Sequence, residues 1–150
     1  MRSLCCFRRH QRDSMGKRYR EQLDKVKDVF PGTSYVCLLD GENGNVIAQS
    51  EETNPNTEEF ARFVRMLRKA AMQFAETLNQ MDSQILHIKG DDTMFSCYGL
   101  DRTVLAFYSQ LPDVEMELFD YTEADKNLET INLELDKLVR DVKTSARRRK

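Results

Sequence analysis

Three apolar segments in the second half of the chain lie so close together that they leave little choice of fold. QILHIK and TMFSCYG are separated only by Gly90-Asp91-Asp92, and TVLAFYSQ follows after Leu100-Asp101-Arg102. All three are rich in the β-branched and aromatic residues that favour strands. Because parallel strands need a long crossover connection, such short breaks predict an antiparallel three-stranded meander.

An earlier β-hairpin is predicted over residues 33–50. TSYVCLLD is rich in β-branched and apolar residues, GENG supplies turn chemistry, and NVIAQS follows as a second strand. With the meander, this hairpin gives five strands.

Three helices are predicted around these strands. Before Pro31-Gly32, four apolar residues recur at helical spacing and predict a short first helix, namely Tyr19, Leu23, Val26 and Phe30. After Asn54-Pro55, Thr57 is expected to cap a second helix that runs to about Asn79. A long amphipathic third helix is predicted from Thr122 by the stripe Leu128, Ile131, Leu135, Leu138 and Val142. Just before it, VEMELFDY is either a sixth strand or an extension.

This order of elements predicts an α/β fold, a two-layer sandwich in which helices lie mostly on one face of a central antiparallel five-stranded sheet. Strand alternation then leaves the other face for water or a partner. We divide the chain into a flexible basic arm (1–16), a domain (17–110), a C-terminal strand and helix extension (111–146) and a basic tail (147–150).

Charge is distributed unevenly, although the net charge is only −2. Residues 1–20 carry +6, residues 21–146 carry −12 and residues 147–150 carry +4. Basic ends on an acidic body suit an anionic membrane surface or an acidic partner, and solubility alone is the open alternative. No nucleic-acid-binding motif is present. No apolar run is long enough to span a bilayer, so we expect a cytoplasmic protein.

The residues that enzymes and metal sites require are not combined in this sequence. There is no GxxxxGK[ST] loop and no GxGxxG after a strand. His10 lies in the arm, and His87 alternates with apolar residues in a strand, so a packed or solvated side chain is the simpler interpretation. Cys37 and Cys97 lie in apolar runs and are expected to be buried, reduced thiols. We therefore expect no catalysis, no metal and no cofactor.

The element order, together with DGENGNVIAQS in the hairpin and TNP ahead of the second helix, resembles the roadblock family, which is named for a dynein light chain. The resemblance covers about residues 17–110. Residues 50–110 are similar to the dynein light chain branch in length and pattern, whereas the chain after Gln110 is more like larger members such as the Ragulator adaptors. The resemblance implies a homodimer or heterodimer with one sheet continuous across two subunits.

The second helix carries more apolar residues than contact with one sheet requires. Its stripe is widened by additional apolar and small residues, so either the first or last helix covers the excess or the helix pairs with a copy or paralogue across a dimer axis. We predict the second arrangement, with an interface formed by Phe60, Phe63, Val64, Met66, Leu67, Ala70, Ala71 and Phe74.

Two further hypotheses concern the arm and the function. Cys5 and Cys6, beside Phe7, Arg8 and Arg9, are candidate lipidation sites, since acyl chains with a cationic patch attach proteins to membranes. The resemblance implies a non-catalytic dimeric adaptor, a dynein-associated light chain that links the motor to cargo and binds a dynein intermediate chain. The alternative is a Ragulator-like scaffold or regulator of small GTPases at an endomembrane. The protein would accordingly be cytoskeleton-associated or peripheral on an endomembrane.

Overall fold

The computed structural model describes residues 3–50, 56–78, 85–100, 102–110 and 120–148, with side chains described from Ser14 onwards. Three helices and five strands follow one another in the order α1 (Ser3–Val29), β1 (Thr33–Asp40), β2 (Val46–Gln49), α2 (Thr57–Thr77), β3 (Ile85–Lys89), β4 (Thr93–Gly99), β5 (Thr103–Gln110) and α3 (Tyr121–Arg147). The predicted hairpin, meander and three helices are all present.

The strands form one antiparallel sheet in the order β2-β1-β5-β4-β3. The hairpin joins the meander through β1 and β5, with Val36 opposite Phe107 and Leu38 opposite Leu105. The last strand of the meander thereby lies in the centre of the sheet, and β2 and β3 form its two edges.

Helices cover both faces of this sheet. Val36, Leu38 and Phe107 pack against α1 and α3 on one face, while the alternate residues Tyr35 and Cys37 face α2 on the other. The predicted α/β class with a five-stranded antiparallel sheet is confirmed. The layering differs from the expected arrangement, in which one face was open. β1 and β5 have apolar residues at consecutive positions, a pattern that burial on both faces requires.

Helix α1 begins well upstream of Lys17, where the folded domain was expected to begin. Its backbone is helical from Ser3, through the segment expected to be a flexible arm, and it ends at Val29 before Pro31-Gly32. The four apolar residues of its predicted stripe are all buried against the sheet and α3. Gly32 has a φ of 82° and lies so close to the Gln110 carbonyl that a Cβ atom would overlap it.

Helix α3 belongs to the same core as α1. Leu128, Ile131 and Leu135 are buried as predicted, but Leu138 is half-buried and Val142 is exposed near the end of the helix. Asn132 is buried on this face, where its side-chain oxygen accepts a hydrogen bond from the Thr103 hydroxyl at 3.2 Å. Most of VEMELFDY lies outside the described residues, and its last residue, Tyr121, begins the helix.

Candidate functional site

Helix α2 is the only helix on its face of the sheet within the described part of the chain. The buried residues of α2 are small, namely Ala61, Val64 and Ala75, so the helix lies close to the sheet. Phe60 adds an aromatic contact and meets the ring of Tyr35 edge to face, with 5.4 Å between centroids. The helix is therefore held along a narrow strip, and much of its surface is left uncovered.

Hydrogen bonds fix the N terminus of α2 to the hairpin. The Tyr35 hydroxyl donates to Gln49 Oε1 at 3.0 Å, and Thr57 Oγ1 donates to the same oxygen at 2.9 Å. Burial raises the pKa of Tyr35, so its hydroxyl remains a neutral donor. Thr57 is thus the first helical residue and an anchor, whereas the cap position is taken by Asn56.

Arg65 ties one flank of α2 to the turn between β1 and β2. Its Nη1 donates to the Gly44 carbonyl at 2.9 Å, and Gly44 has a φ of 70°. A Cβ atom at Gly44 would overlap the side chain of Arg65. This flank of the helix therefore faces the hairpin.

The opposite flank of α2 is apolar and exposed. Phe63 is 48% exposed, Met66 59% and Phe74 67%, and Ala70 between them is exposed as well. These four residues, which we call the apolar flank, recur at spacings of three and four and so form one continuous strip. Monomeric proteins rarely leave a run of such large apolar side chains in water.

The apolar flank lies on the β3 side of the molecule. Successive helical residues are about 100° apart, so Phe63 points about 200° away from Arg65, which faces the hairpin. The hairpin and β3 are at opposite edges of the sheet. On the same face as α2, Ile88 of β3 is also exposed. An exposed helix flank and an edge strand therefore lie on the same side.

The eight predicted interface residues separate into three groups. Phe63, Met66, Ala70 and Phe74 form the apolar flank, Leu67 and Ala71 are half-buried at its border, and Phe60 and Val64 pack towards the sheet. The residues missed as sheet contacts are Ala61 and Ala75, although their spacing relative to Val64 could have indicated them. Helices α1 and α3 lie on the other sheet face and do not cover the excess apolar surface.

Cations accompany the apolar flank on the solvent side of α2. The guanidinium of Arg62 lies over the ring of Phe63, 5.2 Å from its centroid, and forms an ion pair of 3.6 Å with Glu59. Lys69 is exposed one turn after Arg65. A partner at this surface would thus meet apolar side chains bordered by positive charge.

His87 is packed in a polar cluster between β3, β4 and α3. Its Nδ1 is 2.8 Å from Ser96 Oγ, its Nε2 is 3.1 Å from the Tyr98 hydroxyl, and that hydroxyl donates to Asp125. Burial, followed by the bond to Asp125, raises the pKa of Tyr98. His87 could act as a base towards the hydroxyl of Ser96. Ser96 is completely buried, so a substrate cannot reach that hydroxyl.

The cysteines of the sheet are unreactive thiols. Cys37 and Cys97 are free and buried, as expected, and burial raises the pKa of each to about 11. Both stay protonated near neutral pH.

The side chains of Cys5 and Cys6 lie outside the described residues, so their lipidation stays a prediction. None of the helices in the described ranges combines the length and the apolar character that a membrane span requires. The same ranges contain no group of three or more acidic, histidine or cysteine residues that could hold a metal ion.

The fold has counterparts among solved structures. MglB from Myxococcus xanthus aligns with a TM-score of 0.65 and 15% identity, over 83% of this chain and 96% of MglB. The gliding protein MglB from Thermus thermophilus aligns with a TM-score of 0.66 and 16% identity, over 85% of this chain and 92% of its own. A structure described as MglB with tetrameric arrangement gives a TM-score of 0.67 at 16% identity, over 85% and 91% of the two chains.

No protein-family model matches the sequence, and no curated protein sequence matches it significantly. At such low identities the structural matches establish the fold alone. That fold is the roadblock type, as the resemblance of the hairpin and the central helix implied.

Proposed function

We propose that this chain, which has a roadblock-type fold, is a non-catalytic dimeric adaptor that regulates a small GTPase. The observation that carries the proposal is the apolar flank of α2, exposed beside the edge strand β3. Two copies related by a twofold axis would pair their α2 helices through this flank. Their β3 strands would then meet edge to edge and continue the sheet from one subunit into the other.

The choice of a small GTPase over a dynein intermediate chain is supported by the extent of the structural matches. Residues 1–110 make up less than three quarters of the chain, so alignments over 83% and 85% of it include part of the region after Gln110. A short dynein light chain would end near Gln110, so the matches favour the larger branch of the family, for which regulation of a small GTPase is the expected role. Helix α3 also packs in the core rather than forming a separate appendage.

A matched pair of substitutions tests the dimer. Met66 and Met72 are both exposed methionines of α2, but only Met66 lies in the apolar flank, since Met72 is about 180° around the helix from Phe63 and Phe74. We expect Met66→Arg, and likewise Ala70→Arg, to give monomers at micromolar concentration, because a charge buried without a partner is strongly unfavourable. Met72→Arg should leave the dimer intact in sedimentation equilibrium. The proposed interface would be contradicted if the wild-type protein were monomeric and paired with no paralogue, or if all three variants remained dimeric.

Affinity purification followed by mass spectrometry tests the partner. Wild-type protein should retain a small GTPase whose affinity depends on the bound nucleotide, and Met72→Arg should retain it equally. Recovery of a dynein intermediate chain without any GTPase would replace this proposal with the motor-adaptor hypothesis. In either case we expect binding to be the whole activity, in the cytoplasm or on an endomembrane.

A further inference from the structure

Helices α1 and α3 are antiparallel, which brings the two ends of the described chain to the same end of the molecule. At one end of the pair, Phe30, just after α1, has its ring 6.4 Å from that of Tyr121, the first residue of α3. At the other end, Lys143 near the end of α3 donates to Asp40 Oδ2 at 3.2 Å. Asp40 is the last residue of β1, so α3 ends beside the hairpin turn.

Both helices continue past the sheet at this end. The eight residues of β1 span about 26 Å, whereas the 27 residues of α1 span about 40 Å. Because α1 leads directly into β1, its first turns extend beyond the hairpin end of the sheet. On α3, Arg147 and Arg148 come about one turn after Lys143, which pairs with the last residue of β1, so the helix continues in the same direction past that contact.

The helical segments that converge there are strongly basic. The first half of α1 includes Arg8, Arg9 and Arg12, followed by Lys17 and Arg18, with Asp13 as its one acidic residue. At the end of α3, Arg140 and Lys143 are paired with Asp136 and Asp40, and Asp141 is the one acidic residue between positions 140 and 148. Arg147 and Arg148 have exposed side chains. Lys17 and Arg18 lie beside the sheet, within two turns of the part of α1 that extends past it, and both are exposed. We call these two helical segments, residues 3–18 and 140–148, the basic end.

We propose that the basic end is a contact surface for an anionic membrane, assembled from both helices. An anionic surface would attract this end and repel the acidic remainder, and so would orient the molecule. Leu4, Cys5, Cys6 and Phe7 precede Arg8 in the sequence of the first turns of α1, so this segment carries apolar residues as well as cations. A lipid surface accommodates both kinds of residue, whereas the phosphates of a nucleic acid match only the charges.

This contact is independent of the proposed dimer and GTPase partner. Helix α2 lies on the other face of the sheet from α1 and α3, so its apolar flank stays accessible when the basic end meets a membrane. The contact also does not require acylation, and unmodified full-length protein is therefore the right material for the test.

Cosedimentation with vesicles tests the proposal. We expect the full-length protein to bind phosphatidylcholine vesicles that contain about one fifth phosphatidylserine, and not vesicles of phosphatidylcholine alone. Charge reversal on both helices, Arg18→Glu with Arg148→Glu, should lower the partition coefficient about tenfold or more. Each single change should lower it measurably, because both helices contribute. The matched control, Lys25→Glu with Lys126→Glu, makes the same charge change near the other end of α1 and α3, where both lysines are exposed, and should have a much smaller effect.

Several outcomes would overturn the inference. Equal losses in test and control variants would show a general effect of net charge. A loss with Arg18→Glu but not with Arg148→Glu would show that α1 acts alone. Binding to heparin without binding to anionic vesicles would indicate a soluble polyanionic partner instead. Circular dichroism spectra and melting temperatures like those of the wild type establish that the variants are folded. Sedimentation equilibrium measures dimerisation independently of vesicle binding.

Discussion

Gly44 shows how a single residue holds the hairpin and α2 together. Its amide donates to the Asp40 carbonyl at 2.9 Å, and its own carbonyl accepts from Arg65. The Asp40 side chain accepts from the amides of Glu42 and Asn43. Burial opposes ionisation of this carboxyl, but these two amides and the Lys143 ammonium outweigh it and lower the pKa of Asp40. The turn thus joins β1 to both α2 and α3.

Two glycine substitutions should have opposite effects on stability. Gly44→Ala should lower the free energy of unfolding by about 2 kcal/mol, because a side chain at positive φ is strained and the new methyl group displaces Arg65. Gly16→Ala should raise it by about 0.5–1 kcal/mol, since Gly16 is helical and a Cβ atom there meets nothing within 4 Å. Urea denaturation measures both, and equal destabilisation by the two changes would disprove the role given to the turn.

The buried thiols predict a loss of stability in alkali. The pKa of Cys37 and of Cys97 rises from 9.0 to about 11 in the folded protein. The folded state therefore holds these protons more tightly, so the contribution to stability is complete below pH 9 and disappears as the pH approaches 11. Between about pH 8 and about pH 10.5, wild-type protein should lose more unfolding free energy than Cys37→Ala with Cys97→Ala, by about 2 kcal/mol or more. A parallel pH profile for the two proteins would contradict this prediction.

At the scale of the element, the two long helices after the hairpin differ in what covers them. Helix α3 is buried along most of its stripe by the sheet and α1, whereas α2 is held by small residues and exposes its larger ones. Both helices are amphipathic in sequence, so periodicity predicts that each is a helix but not how much of its apolar face is used within the subunit.

Leu133 and Leu135 provide a matched test of how α3 packs. Leu135 is fully buried between α1 and the sheet, while Leu133 is exposed. Leu135→Ala should cost about 2–5 kcal/mol of unfolding free energy, because it leaves a cavity in the core. Leu133→Ala should change it by about 0.5 kcal/mol or less. Urea denaturation followed by circular dichroism gives both values, and similar costs for the two would mean that α3 is not part of the main core.

At the scale of the whole molecule, each layer is assigned a different role. On the face covered by α1 and α3, the helices and the sheet form the larger of the two hydrophobic clusters among the described residues. The opposite face carries α2 and, in our proposal, the dimer. The hairpin end of α1 and α3 is basic and is proposed to meet the membrane. A dimer and a membrane contact can then operate together, because they use different sides of the subunit.

The lipidation hypothesis is tested in cells rather than with vesicles. Cys5→Ser with Cys6→Ser should move the protein from the membrane pellet to the soluble fraction and leave its oligomeric state unchanged, because acyl chains strengthen an attachment that charge alone makes weak. Arg148→Glu in the same assay reports the contribution of charge. An unchanged distribution of the cysteine variant would rule out acylation of these residues as the anchor.

The sequence by itself determined the order and type of the elements. The short breaks between strands required an antiparallel meander, and the stripes of α1 and α3 identified buried residues such as Leu23 and Leu135, because periodicity and turn chemistry are local properties. The tertiary structure decided which sheet face each helix covers, where the exposed part of α2 lies and which charges meet. Phe63 and Val64 are adjacent and both apolar, yet one is exposed and the other buried. That difference depends on neighbours distant in sequence, as does the ion pair between Lys143 of α3 and Asp40 of β1.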